Sequence, residues 1–492
     1  LIAAVATGAS LWSTEAEASG ISSARFGGEH GHPTTDNTTA IYYNPAGLAL
    51  SKGTHIFVDG SIALRWAAYD RPAAGPNDVV AGATPVQSSQ QTLQLAPGAN
   101  DGKATLFNAI AAPFFGVHSD FGTDFMAGGI SLSFPFGGAA VWDENPQYQG
   151  DSLYPGARDG VQRWYSIDGT IRSMYITGAL AFNIKQIGLS IGLSGSAIRS
   201  EVSTIRARNP DGTDDVVTTN SAGDLIIKEG RSQIDVNGWQ GGFGVGLIYD
   251  VLKLGKYFIG VSYTSQPNVA GGMRLKGTLN NAFGLGEPSQ TDVALTQTLP
   301  DIIRLGIRIK PNEKWEFRAF ADYTRWSVFD KQCVVDQSFK DDCKFAGEDN
   351  ALDDPENFGS ADDFNGDPAQ LSQHLPRYWK DTGGVRVGGS YWFIPEVEGY
   401  LGAGYDGTAV PLETLDPALI DMHKMSLSAG VRWQIIKYFA LAFTATELIY
   451  FKTSTKGKSA LGKFQSPTKQ PSGDGVYSQF IQLFNIYADI SF

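Results

Sequence analysis

Arginines set at alternating positions in apolar runs are the first chemistry this sequence offers. Arg304 and Arg308 interleave with Ile303, Leu305, Ile307 and Ile309, and Arg432 falls between Val431 and Trp433 in a run that also alternates Met425, Leu427 and Ala429 with serine and glycine. With Arg318 and Arg386 they make a set that points away from the apolar stripe. A charge facing lipid is costly, so such a set belongs in a wet interior, where Asp322 and Glu316 are ready ion-pair partners. Other candidates are weaker. Gly402-Ala403-Gly404-Tyr405-Asp406-Gly407 spells a dinucleotide loop, but that chemistry needs a helix N-terminus behind the glycines, and Pro411 and Pro417 interrupt the stretch where that helix would run. No nucleophile elbow, zinc-protease helix or phosphate loop is present, so neither an enzyme nor a cofactor is expected. Asp363, Asn365 and Asp367 around Gly366 hint at calcium without EF-hand spacing, inside a loop whose plain reading is a solvated acidic segment. Cys333 and Cys343 would close a small loop in an oxidising compartment and be unremarkable in a reducing one; no histidine between them suggests zinc.

The elements that carry these residues alternate with period two. From Thr54 to Trp66, Ile56, Val58, Gly60, Ile62, Leu64 and Trp66 share one face and His55, Asp59, Ser61 and Arg65 the other. A strand of ordinary soluble sheets runs to about five or six residues, whereas a tilted membrane strand needs about 9–11. Short turns near residues 120–123, 185–186, 311–313 and 395–396 alternate with long connections at about 70–105, 138–163, 207–230, 271–298, 327–380, 406–422 and 454–476. That is the asymmetry of an outer-membrane barrel. Fourteen strands fit between them: about 54–68, 106–119, 124–135, 165–183, 187–206, 231–250, 256–270, 299–310, 314–326, 381–394, 397–405, 423–434, 437–453 and 477–492. The predicted class is all-β, a 14-stranded antiparallel transmembrane barrel. Trp66, Trp142, Trp164, Trp315, Trp326, Trp379 and Trp392 near strand ends are expected in interfacial girdles.

Composition agrees: 58 glycines, 12% aromatic and only 18% charged residues suit a sheet that faces something other than water, and a net charge of −13 argues against nucleic acid. Residues 1–18 read as the end of a signal peptide, with a small-x-small site at Ala16-Glu17-Ala18. Residues 19–52 keep neither strand nor helix period and end at Asn44-Pro45-Ala46-Gly47, a turn signal, before the barrel over 53–492.

Several stretches together resemble the FadL/TodX family of outer-membrane transporters for hydrophobic compounds. They are Asn44-Pro45-Ala46, Phe134-Pro135-Phe136-Gly137, Leu299-Pro300-Asp301, Pro311 to Trp315, Asp322 to Ser327, Trp379-Lys380-Asp381, Gly404-Tyr405-Asp406 and the terminal strand ending at Phe492. The resemblance implies passive transport of long-chain fatty acids, hydrocarbons or other hydrophobic molecules across the outer membrane of a Gram-negative bacterium, by a monomer. It implies a hatch (19–52, with Phe26) that gates the lumen and sideways release near a kinked third strand, where Gly128 and Gly129 lie. Ligand contacts would come from Phe26, Leu279, Phe283 and, for a carboxylate head, Arg304, Arg308, Arg318, Arg386 and Arg432. Phe492 would address the chain to the barrel assembly machinery, and outer-membrane lipid would surround it. Competing readings are a general porin and a surface-binding barrel that works through the acidic loop.

Overall fold

The computed structural model describes residues 25–73, 90–269, 272–284 and 286–492; the expected leader and the first hatch residues lie outside them. Fourteen strands alternate outward apolar with inward polar side chains. They are β1 (Thr54–Arg71), β2 (Gly102–Ala111 and Phe114–Ser119), β3 (Met126–Ala139), β4 (Asp168–Ile184), β5 (Leu189–Arg208), β6 (Gly230–Asp250) and β7 (Tyr257–Thr264 and Met273–Ala282). The second half comprises β8 (Ser289–Gln297 and Ile302–Asn312), β9 (Trp315–Thr324 and Lys331–Asp336), β10 (Leu371–Pro376 and Thr382–Ile394), β11 (Val397–Asp406), β12 (Lys424–Ile436), β13 (Phe439–Tyr450, continued by Thr453–Ser454) and β14 (Val476–Ser491). Each pairs antiparallel with the next, and β1 closes on β14 from His55↔Ser491 to Asp70↔Val476. Closure leaves no edge, which a sheet in hydrocarbon requires.

The inside-out pattern follows from the alternation. Val58, Ile62, Leu305, Ile307, Val387, Leu427 and Val431 are exposed around the outside, while Asp59, Ser61, Arg65, Arg304, Arg308 and Arg318 are buried within. Exposed apolar residues on nearly every strand exceed what a water-soluble surface carries.

The strands are longer than periodicity alone suggested. The segment 271–298, expected as a loop, is mostly the hairpin Met273–Ala282 with Ser289–Gln297, which continues β7 and β8 outward. Lys331–Asp336 and Leu371–Pro376 extend β9 and β10 in the same way. These extensions and the long connections bury a second core above the membrane band. Trp142, Trp164, Trp326 and Trp379 sit in it, 6%, 1%, 4% and 3% exposed, instead of forming a girdle; Trp66 and Trp315 do face outward. The cap is also held by a Cys333–Cys343 disulfide, packed with Phe339, Phe345, Phe358 and Phe364.

Candidate functional site

The N-terminal segment fills the lower barrel, and its sequence explains how. Asn44 begins the 3-10 turn Pro45–Leu50, its side chain accepting a bond from the Ala46 amide at 3.1 Å. Its Nδ2 reaches the carbonyls of Pro33 (2.7 Å), Leu247 on β6 (3.1 Å) and Val261 on β7 (3.3 Å). One amide therefore ties two parts of the hatch to the wall. The wall makes room by omitting side chains: a Cβ at Gly246 would stand 1.9 Å from Asn44 Oδ1, and one at Gly192 2.1 Å from the Ala46 amide nitrogen. On the opposite wall Glu29 is buried against Ser428, which donates to its Oε1.

The expected ligand arginines mostly have partners in hatch or wall. Arg308 pairs with Asp36 of the hatch at 2.7 Å, and Arg386 bridges Asp322 (2.5 Å) and Asp406. Arg318 donates to Ser390 Oγ at 2.7 Å and lies 3.4 Å from Glu316, while Arg432 donates to Gln434. Arg304 donates to Thr264 Oγ1 at 2.9 Å and lies over the ring of Tyr42 at 4.9 Å. Of these, Arg304 and Arg386 border a cavity of ≈ 140 Å³ above the hatch that Tyr42 and Tyr43 floor. Phe26 is fully buried between Tyr42 (5.5 Å) and Phe114 (5.3 Å), an anchor of the hatch. Leu279 is buried in the upper core, and Phe283 stacks beneath Arg208 at 5.8 Å.

The residues of the calcium expectation bond within their own loop. Asp363 accepts from the amides of Gly359 and Ser360, Asp367 from that of Ala369, and Asn365 bridges Lys344 and Asp342. The three side chains are engaged in local turns, and no metal-holding group of His, Cys, Asp or Glu occurs among the described residues. Gly402 and Gly404 are residues of β11, so no helix start lies behind them.

An interruption in the wall lies near the third strand, but not at the glycines expected to cause it. Gly128 and Gly129 pair with Ser119 and His118 on β2 and with Leu180 and Ala179 on β4. β2 and β3 part after Phe115↔Leu132. Beyond that point β3 stays with β4 through a register shift between Ser133 and Phe136, while β2 stays with β1. Pro135 sits in the shift and has no N–H to donate, which favours the bulge there. The two strands meet again only where Asn108 Nδ2 donates to the Val141 carbonyl (3.4 Å) and the Asp143 amide to the Thr105 carbonyl (2.9 Å). Between these points, among the described residues, 109–114 and 133–140 exchange no ladder bonds. A second cavity, enclosed among β1, β3 to β6 and β8 to β10, backs onto this gap at Gly138, Ala139 and Ala140. The sequence signal for the gap was Phe134-Pro135-Phe136-Gly137, which periodicity treats as a strand end.

A closed barrel with an apolar outer band, a lumen plug and a cavity opening toward its wall defines an outer-membrane transport protein. The chain belongs to the family described as outer membrane protein transport protein (OMPP1/FadL/TodX), which matches residues 1–470. Among solved structures it is similar to a Pseudomonas aeruginosa FadL homologue, at 16% identity over 97% of this chain and 98% of that one, with TM-score 0.67. It is similar also to the Ralstonia pickettii toluene transporter TbuX, at 16% over 98% and 99% (TM-score 0.59), and to the Pseudomonas putida toluene transporter TodX, at 13% over 96% and 98% (TM-score 0.58). At these identities the likeness establishes the fold. No curated protein matches in sequence.

Proposed function

We propose that hydrophobic compounds, long-chain fatty acids or hydrocarbons among them, enter the upper lumen passively and leave sideways between β2 and β3 into the membrane. The observation that carries this is the gap from 133 to 140 with a cavity directly behind it, set above a hatch keyed into the wall. An apolar solute has little reason to cross a watery floor, and a side exit delivers it to the phase it prefers. The hatch gates the lumen from below, and Phe492, 70% exposed at the end of the last strand, presents the signal to the assembly machinery. The keyed hatch favours this over a general porin.

The test is uptake of labelled oleate, toluene and a small sugar by cells lacking their own transporter, with the native protein and with Ala140→Phe. Ala140 is 6% exposed and borders both cavity and gap. Uptake of a hydrophobe that depends on the protein and falls with Ala140→Phe is the expected result. Sugar uptake alone would overturn the reading, as would hydrophobe uptake that ignores the substitution.

A further inference from the structure

The cavity behind the gap is lined by more positive than negative charge. Three arginines, Arg65, Arg206 and Arg377, border it against one carboxylate, Asp416, in a chain whose net charge is −13. That carboxylate is committed to Arg377 at 2.6 Å. Arg206, on the outer end of β5, donates to Gln373 Oε1 (3.0 Å) and Gln470 Oε1 (3.2 Å), neutral amides both. Its neighbour Arg208 donates to the Ser372 carbonyl. Among the described residues neither forms an ion pair. Arg206 is half-buried; a guanidinium partly withdrawn from water without a counter-charge is costly, and a bidentate carboxylate is the partner its planar fork fits best.

Ile171, Val202, Ile234, Leu295 and Val334 face the same space, beside the polar Tyr165, Ser166, Thr204 and Gln332. The enclosed volume is ≈ 90 Å³. An apolar cavity of ~150 Å³ takes up benzene, so a single ring enters this one only as its lining gives way. A long-chain acid can pass it on the way to the gap but is not held whole within it, and a neutral hydrocarbon leaves Arg206 unanswered.

We propose that this cavity is a binding site for single-ring carboxylates, with the carboxylate on Arg206 and the ring among Ile171, Val202 and Val334. The inference rests on the importer reading only for the fate of the bound compound, which lies against Gly138 to Ala140 at the gap. Gln470 exchanges Arg206 for the incoming anion by turning its amide N–H groups toward it, while Gln373 Nε2 stays on Ser232 Oγ (2.7 Å).

The experiment is equilibrium dialysis of labelled benzoate with the purified, folded protein in detergent, with benzyl alcohol and oleate as competitors. The variants are Arg206→Gln and Arg206→Lys, each checked for the heat-modifiable mobility of a folded barrel. Expected is one saturable site, weakened at least tenfold by Arg206→Gln, less by Arg206→Lys, and hardly displaced by benzyl alcohol or oleate. Equal affinity for benzyl alcohol, indifference to Arg206→Gln, or displacement by stoichiometric oleate would each overturn the proposal. Parallel uptake into proteoliposomes separates the two readings: saturable binding without uptake sinks the importer and leaves the site, while uptake without saturable binding sinks the site alone.

Discussion

Removing the Asn44 amide should loosen the hatch more than any other single truncation in it. The residue is fully buried, and Asn44→Ala leaves the Ala46 amide and the Pro33 carbonyl without the partners they have at 3.1 and 2.7 Å. The Leu247 and Val261 carbonyls lose less, because β6 and β7 pair with each other through those same residues. Two buried groups left unsatisfied at about 1–3 kcal/mol each give roughly 2–6 kcal/mol. That energy falls on hatch docking rather than on the barrel ladder. Liposome swelling with a small sugar should therefore rise in Asn44→Ala, while the temperature at which the barrel unfolds on a heat-modifiability gel moves little. Asn44→Asp, which keeps the Ala46 bond but loses the donor, should fall between. A hatch as impermeable in Asn44→Ala as in the native protein would refute the claim that this amide is the bolt.

Gly246→Val should act on the same joint from the wall, because its Cβ would collide with Asn44 Oδ1; limited proteolysis within residues 25–52 should become faster than in the native protein. Arg386→Ala should lower the urea midpoint by an amount equivalent to about 3 kcal/mol, since it leaves Asp322 and Asp406 facing each other without a cation; Asp322→Asn in the same chain should restore part of it. The cap should weaken in acid. Burial, with Lys331 nearby, pushes His374 down to about 3, so the folded cap holds it neutral. Its contribution is complete above the unfolded value near 6.5 and is lost progressively as pH falls below it, about 2 kcal/mol by pH 5. Proteolysis of the 337–370 segment should accelerate from pH 7 to pH 5 in the native protein and much less in His374→Phe, whose ring keeps the stack on Phe345 (4.1 Å).

The barrel could be read from the chain because its physics is local. Period-two alternation of Val58, Ile62 and Trp66 against Asp59, Ser61 and Arg65 sets the two faces of a strand wherever it ends up. The alternation of short and long connections then fixes the number of strands and the rims. The acidic loop and the Asn44 turn were legible as segments for the same reason. What each did was not legible. Asp363 caps a turn, and most of the tryptophans near strand ends go into a second core, because burial depends on what the other loops bring above the membrane.

Neighbours along one chain settle the strand count and the inward direction of Arg304, Arg308 and Arg318, so both are present in the amino-acid order alone. Where the wall opens and which arginines lack a counter-charge are matters of closure. Gly128 and Gly129 are weak strand residues, yet both are paired, while the ladder fails at Ser133 to Ala140 because β2 follows β1 and β3 follows β4. Arg206 differs from Arg386 only in what stands opposite it: two glutamines in one case, two aspartates in the other. Those partners lie tens to hundreds of residues away in sequence, and only closure of the barrel brings them together.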